Sequence, residues 1–433
     1  MQKLGLGCPL GFLASKQQKR KTIILDLNYD CYVKIFAYLT ALDDKLNLAR
    51  AHPQFRDVFM QEAPRRFAKI NMRMLRSLAD WPYLLGMCGD SVLECELRHG
   101  RWDDNITLPF LGLLNTHCPN MQHLHLIFVH YVPLTQMQGT EANILQVMQR
   151  KDLKSISLTD ANAPIGKLSR DNNISFDLEA LHIDGFDEEL LDDEFMEQLQ
   201  ALPSLRRLSL RFAIRRQFPP LAEHCPQLEH LSLENFETTL SDLGDFPALK
   251  SLNLIWRLFT QVNNNLFRSL AKRYADRLEQ LQLTKVKPQQ AEHITALANL
   301  KMLACPMWPR EALSNLCDLQ QLECLVLQCT EAAVSVMELL DVINNCRKLQ
   351  HLKLGKRWLD DQLEQLISAA QKALRAQKTR PPLLLTLESI AAKELQDELR
   401  GKTNCQFLQL DWRRTACGLC TPDRHTKHEV FLD

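Results

Sequence analysis

A motif of leucine, two variable residues, leucine, one variable residue and leucine returns about every 20 to 33 residues between positions 92 and 411. Its clearest copies are Leu205-Arg-Arg-Leu208-Ser-Leu210, Leu228-Glu-His-Leu231-Ser-Leu233, Leu249-Lys-Ser-Leu252-Asn-Leu254, Leu278-Glu-Gln-Leu281-Gln-Leu283 and Leu349-Gln-His-Leu352-Lys-Leu354. Weaker copies start at Met121, Leu153 and Leu178, and a marginal one runs from Val92 to Leu97. A recurrence of this length builds a solenoid, in which each unit buries its apolar face only against its neighbours. Side chains along a strand alternate between two faces. The inward set is therefore Leu124, Ile156, Leu181, Leu208, Leu231, Leu252, Leu281, Leu303, Leu325, Leu352, Leu385 and Leu408.

Between these strands the spacing turns helical, over Leu191–Leu202, Asn264–Leu278, Val336–Cys346 and Leu359–Gln377. Prolines at 119, 203, 226 and 247 disfavour helix at the preceding residue and lead into the next strand. The pattern Cys225-Pro-Gln-Leu228, with Cys118-Pro119 and Cys346-Arg-Lys-Leu349, resembles the cysteine-containing class of leucine-rich repeats. That resemblance implies an α/β solenoid over 91–411, a curved parallel sheet with helices on its convex side. The asparagine or cysteine that often follows the strand in such families is not regular here.

The chain carries 52 basic and 52 acidic residues. That balance points to neither nucleic acid nor an anionic membrane as a partner. Fourteen cysteines spread over 433 residues read as reduced, mostly buried thiols. No apolar run approaches a membrane span. The stretch Leu4–Ala14 is broken by Gly5, Gly7, Pro9 and Gly11 and precedes a basic run, Lys16 to Lys21. It makes a poor signal peptide, so residues 1–22 are expected to be a flexible tail and the protein to work in the cytoplasm, the nucleus or both.

Ahead of the repeats, residues 23–60 contain Leu27-Asn28-Tyr-Asp30-Cys31-Tyr32-Val-Lys-Ile35-Phe36-Ala-Tyr38-Leu39, continuing through Leu42 and Leu46 to Phe55. This segment resembles an F-box, with Asn28 where that family has proline and Cys31 where it has an aliphatic residue. A helical module this small usually needs a partner to cover its apolar surface. The resemblance implies that the partner is the Skp adaptor subunit, which links a chain to a cullin ubiquitin ligase. The adaptor-binding residues would be Leu27, Tyr32, Ile35, Phe36 and Leu39. A pure cap for the solenoid end is the alternative. Residues 61–90, where Arg65, Arg66, Lys69, Arg73 and Arg76 interleave with apolar residues, read as a connecting helix with a solvated basic face.

The outward strand positions are small and polar from His123 to Gln282, then turn apolar at Met302, Ala304, Cys324 and Val326, with Trp308 beside them. An exposed apolar patch of this kind marks an interaction site, unless a loop or the tail packs over it. Arg207 and Arg211 could receive an acidic or phosphorylated segment. In the tail 412–433, Cys417, Cys420, His425 and His428 are the ligand types of tetrahedral zinc, although the four-residue gap between Cys420 and His425 is short. No nucleotide-binding loop, nucleophile elbow or metalloprotease helix occurs, so no catalysis and no cofactor is expected. The leading expectation is a substrate receptor of an SCF-type ubiquitin ligase that holds a protein substrate on its repeats. The others are a leucine-rich scaffold outside the ubiquitin system and, more remotely, a zinc-bearing regulator.

Overall fold

The computed structural model describes residues 23–100, 104–129, 146–147, 150, 152–159, 177–186, 193–212, 221–235, 240–256, 262–327, 334–355, 362–377, 380–388 and 407–411. Their strands form one 14-stranded sheet in simple chain order. They are β1 (Lys69–Asn71), β2 (Glu94–Gly100), β3 (His123–Val129), β4 (Ser155–Thr159), β5 (Ala180–Phe186), β6 (Arg207–Phe212) and β7 (His230–Glu234). The series continues with β8 (Ser251–Ile255), β9 (Gln280–Leu283), β10 (Met302–Ala304), β11 (Cys324–Leu327), β12 (His351–Gly355), β13 (Leu383–Glu388) and β14 (Leu408–Asp411). Every pairing is parallel, as connections through helices and extended segments require. The architecture is α/β and compatible with a solenoid-like repeat.

The central leucines lie opposite one another from strand to strand, as in Leu208↔Leu231↔Leu252↔Leu281↔Leu303. All twelve expected inward residues are buried. The marginal first copy is a full strand, β2, with Cys95 and Leu97 buried. The last copy pairs differently: Leu408 lies opposite Leu383, and Leu410 takes the place opposite Leu385. A shift of two residues keeps both leucines on the inward face, so the core tolerates it.

The helices between strands follow the apolar spacing closely. They cover Asp193–Gln200, Asn264–Tyr274, Val336–Asn345 and Leu363–Ala376. Leu266, Phe267, Leu270 and Tyr274 of one helix join the strand leucines in a single core cluster. Before several strands a tight turn recurs, in which the first motif leucine donates its N–H to the carbonyl three residues back. Leu205→Leu202, Leu228→Cys225, Leu249→Phe246 and Leu349→Cys346 are examples. The residue at that turn position is usually apolar and faces the core. Before β4 it is Arg150, and three residues ahead of Leu383 in β13 stands Arg380; each reaches back to cap carbonyls of the preceding unit.

The position just after the first motif leucine alternates in charge over eight successive strands. It reads Lys154, Glu179, Arg206, Glu229, Lys250, Glu279, Lys301 and Glu323. Ion pairs link several neighbours, among them Lys250–Glu229 at 2.8 Å and Lys301–Glu279 at 2.9 Å. Exposed pairs of this kind contribute little stability. Alternation instead makes each strand the favoured neighbour of the next, because like charges set side by side would repel.

Residues 23–66 form a 3-10 turn and three helices, α1 (Tyr29–Tyr38), α2 (Leu42–Ala51) and α3 (Pro53–Arg66). Asn28, standing where a proline was the reference, caps α1: its side chain accepts a hydrogen bond from the Cys31 N–H at 3.0 Å. The connecting helix expected over 61–90 is not what forms. After Arg66 the chain enters β1, the first strand of the sheet, then 3-10 turns and a helix, α4 (Trp81–Cys88). Phe67, Ile70, Met72 and Leu75 are buried, so the interleaved apolar residues belong to the sheet's first unit and not to one face of a long helix. The α1–α3 layer seals this end: Arg50 bonds Asp80 and stacks over the Tyr83 ring, 4.7 Å from its centroid.

Among the described residues no helix is long and apolar enough to cross a membrane.

Candidate functional site

The face of the sheet away from the core carries two parallel rows of side chains. One runs His123, Ser155, Ala180, Arg207, His230, Ser251, Gln280; the other runs His125, Ser157, His182, Ser209, Ser232, Asn253, Gln282. Across β4 to β10 these rows line a groove of about 230 Å³ that ends at Met302. Asn253 Nδ2 donates to Ser232 Oγ at 2.9 Å, while the Ser157 hydroxyl and Asn253 Oδ1 are buried without a hydrogen-bond partner among the described residues. A buried polar atom without a partner costs free energy, which a ligand oxygen or N–H recovers on binding.

The expected exposed apolar patch is absent. Met302, Ala304, Cys324 and Val326 are all under a tenth exposed and form a small cluster of their own, separate from the main core. The four lie opposite one another in two pairs on adjacent strands, Met302↔Cys324 and Ala304↔Val326, about 4.8 Å apart. Trp308 lies in the main core, 2 % exposed, with its indole N–H donated to the Ala312 carbonyl at 3.1 Å. It is a packing residue, not a surface anchor.

The arginine pair also divides. Arg211 sits between two carboxylates, Asp184 at 3.3 Å and Glu234 at 3.6 Å, contributed by the strands on either side. It is not poised for an external acid. Arg207 is half-buried and lines the groove.

Beyond the groove the outer rows continue into a buried polar chain. Cys324 Sγ lies 3.7 Å from His351 Nδ1, and His351 Nε2 lies 2.9 Å from Thr386 Oγ1. A thiol next to an imidazole is the arrangement of a nucleophile and its base. At 1 %, 2 % and 2 % exposure, however, these three groups offer no approach to a substrate. Linear sequence concealed this chain, because its members come from three strands: register sets Cys324 opposite His351, and Thr386 is reached diagonally, two residues beyond His351's partner Leu384.

Within α1–α3 the five expected adaptor contacts fall into two sets. Tyr32 and Phe36 are buried. The Tyr32 ring meets Phe55 edge-on at 5.3 Å, its hydroxyl donates to the Leu25 carbonyl at 2.9 Å, and Phe36 packs against Phe59. They hold the module together and present nothing outward. Leu27, Ile35 and Leu39 are half-buried, and beside them Ile23, Ile24 and Tyr38 are exposed, Tyr38 by 86 %. Reading Ile35 and Tyr38 as neighbours at helical spacing was the available signal for this face.

Burial controls the thiols. It pushes Cys88, Cys118, Cys225 and Cys346 up to about 12, and Cys305 up as well. Thiolate is the reactive form, so these cysteines should stay unlabelled by iodoacetamide at pH 8 in the folded protein and become labelled in guanidinium, read by peptide mass mapping. Because the folded values exceed the unfolded value of 9.0, the stability from burying neutral thiols is full below pH 9. It is lost as pH rises towards 12, where the unfolded chain has already released its protons.

No group of three or more metal-ligating side chains occurs among the described residues. Cys417, Cys420, His425 and His428 lie outside those residues, as does the tail 1–22. The chain matches no family model, and no curated protein matches it.

Proposed function

We propose that this chain is a non-catalytic substrate receptor of an SCF-type cullin–RING ubiquitin ligase. In this reading residues 23–66 are an F-box-like module that docks on the Skp adaptor, and residues 69–411 are a leucine-rich repeat solenoid that holds a protein substrate. Its mechanism is proximity: one body carries two binding surfaces and raises the effective concentration of substrate near the ubiquitin-transferring enzyme.

The observation that carries the reading is the uncovered apolar face of the module. Ile23, Ile24 and Tyr38 are exposed and Leu27, Ile35 and Leu39 are half-buried, while Tyr32 and Phe36 of the same motif fill the module's own core. Exposed apolar side chains on a small module fit a partner interface. A polar groove on a separate face supplies a second place to bind. The placement is cytoplasmic or nuclear.

The scaffold reading keeps one observation in its favour, since α1–α3 cap the first strand of the sheet through the Arg50 contacts. A cap and a docking module are not exclusive, and adaptor capture separates the readings. The purified chain should recover the Skp adaptor stoichiometrically, and the variant Ile35→Asp with Leu39→Asp should lose it. A second variant, Ile24→Asp with Tyr38→Asp, changes only exposed side chains and should lose capture with its unfolding midpoint unchanged. Absence of capture by the well-folded wild-type chain would leave the module as a cap and give the scaffold reading the lead.

A further inference from the structure

We propose that residues 412–433 fold back as a strap over the outward face of β10–β12 and close the groove at its Met302 end. The stretch Ala416-Cys417-Gly418-Leu419-Cys420 would lie on the cluster of Met302, Ala304, Cys324 and Val326. The inference is independent of adaptor docking, and its test involves neither the adaptor nor a substrate.

Burial on the outward face runs against side-chain size. The outward positions of β7, β8 and β9 carry His230, Ser232, Ser251, Asn253, Gln280 and Gln282, and all six are half-buried. The next three strands carry Met302, Ala304, Cys324, Val326 and His351 at the corresponding positions, all under a tenth exposed. Side chains stand roughly perpendicular to a sheet, so a methionine or an imidazole reaches at least as far from it as a serine. Strand spacing is the same throughout a sheet, so neighbours alone shelter both groups of positions alike. Deeper burial of the larger groups requires atoms above them. The four apolar side chains form a cluster apart from the main core, and His351 lies beside Cys324.

Topology selects the occupant. A connection between parallel strands must carry the chain back to the start of the next strand. From β11 to β12 and from β12 to β13 that return includes the helices Val336–Asn345 and Leu363–Ala376, whose buried residues join the main core on the opposite face. Residues 389–406 have the same return to make between β13 and β14. Residues 412–433 follow β14, the last described strand, and carry no such constraint. Residues 1–22 enter at the other end of the sheet, beyond β1.

Length and composition agree with this choice. From β14 to β12 is two strand spacings and to β10 is four, or about 10 to 19 Å. Residues 416–420 stand five to nine residues beyond Asp411, which an extended chain spans in about 17 to 31 Å. They are the first run of small and apolar side chains after Arg413 and Arg414. Small residues allow close approach, and Leu419 gives Met302 and Val326 an apolar partner. The groove lining stops at Met302, where this cover begins. Seated, the strap leaves β4–β9 open; displaced, it adds the apolar positions of β10–β12 to the binding face.

The test compares the whole chain with a chain ending at Asp411, by iodoacetamide labelling of Cys324 read by peptide mass mapping. Cys324 should stay unlabelled in the whole chain, and removing the strap should speed its labelling by about tenfold or more. Cys225 and Cys346 are buried in the main core, and their protection in both chains reports that the shortened one is folded. A second measurement keeps the whole chain and places the photo-crosslinker p-benzoylphenylalanine at position 419. Irradiation should join it to peptides of the same chain that carry Met302 to Val326, and this carries the test if the shortened chain unfolds. Equal protection of Cys324 in the folded shortened chain overturns the proposal, because the sheet then buries this face unaided. Rapid labelling of Cys324 in the whole chain overturns it as well. So does a crosslink to other peptides or none at all, and crosslinked dimers would make the occupant a second copy of the chain instead.

Discussion

Replacing Arg380 by methionine is expected to destabilise the strands around β12 and β13 by about 3 kcal/mol, the cost of leaving buried carbonyls without donors. Arg380 is 8 % exposed and bonds three main-chain oxygens of the preceding unit, those of Ile343, Cys346 and Leu349, the last two at 3.1 Å. These oxygens close the end of the Val336–Asn345 helix and the turn that leads into β12. Burial draws the guanidinium below its ordinary range, while the nearby Cys346 pulls the other way. Guanidinium is hard to deprotonate, so the charge survives and its hydrogen bonds carry the cost of desolvation. Methionine matches the length of the side chain and removes every donor. Lysine keeps the charge but not the planar fork, and should recover only part of the loss. In a stack of repeats stability is a sum of neighbouring terms, so the damage should be local. Hydrogen exchange read by mass spectrometry should show faster exchange in His351–Gly355 and Leu383–Glu388 while Leu231–Leu254 keeps its protection. Uniform protection in the variant would show that water replaces the guanidinium without cost.

Trp308→Ala should cost about 4 kcal/mol, the range found for emptying a buried aromatic site. The indole fills the main core and satisfies the Ala312 carbonyl, so truncation removes packing and leaves an acceptor without its donor. A guanidinium unfolding curve should show the loss, and Trp308→Phe should recover the packing but not the hydrogen bond. Had Trp308 been a surface anchor for a partner, the alanine variant would keep its stability and lose only binding. The two outcomes are opposite, and burial selects the first.

How far the sequence could be read depended on whether a residue's role was local. The strand positions were legible because the Leu-x-x-Leu-x-Leu motif encodes facing directly: two leucines one residue apart must point the same way, and all the expected inward residues are buried. Helix bounds were legible to within a few residues for the same reason. The alternating charge from Lys154 to Glu323 was also present in the sequence, once the repeats are aligned with one another. Exposure was not legible. Met302 and Val326 occupy outward positions, yet both are under a tenth exposed and cluster with Ala304 and Cys324. Tyr32 and Phe36 share the F-box-like motif with Ile35 and Leu39, yet the packing of α2 and α3 turns them inward. The region 61–90 looked helical because basic and apolar residues alternate in it, and β1 forms there because the edge of β2 offers a free ladder.

The sequence by itself therefore determined the repeat, the inward rows and the polar character of the outer groove, since each follows from spacing along the chain. The tertiary structure alone decided which outward residues remain accessible, that Arg211 is engaged by Asp184 and Glu234 while Arg207 lines the groove, and that Cys324, His351 and Thr386 meet. Those outcomes depend on register between strands more than twenty residues apart, and lateral register is a property of the folded stack, not of any one repeat.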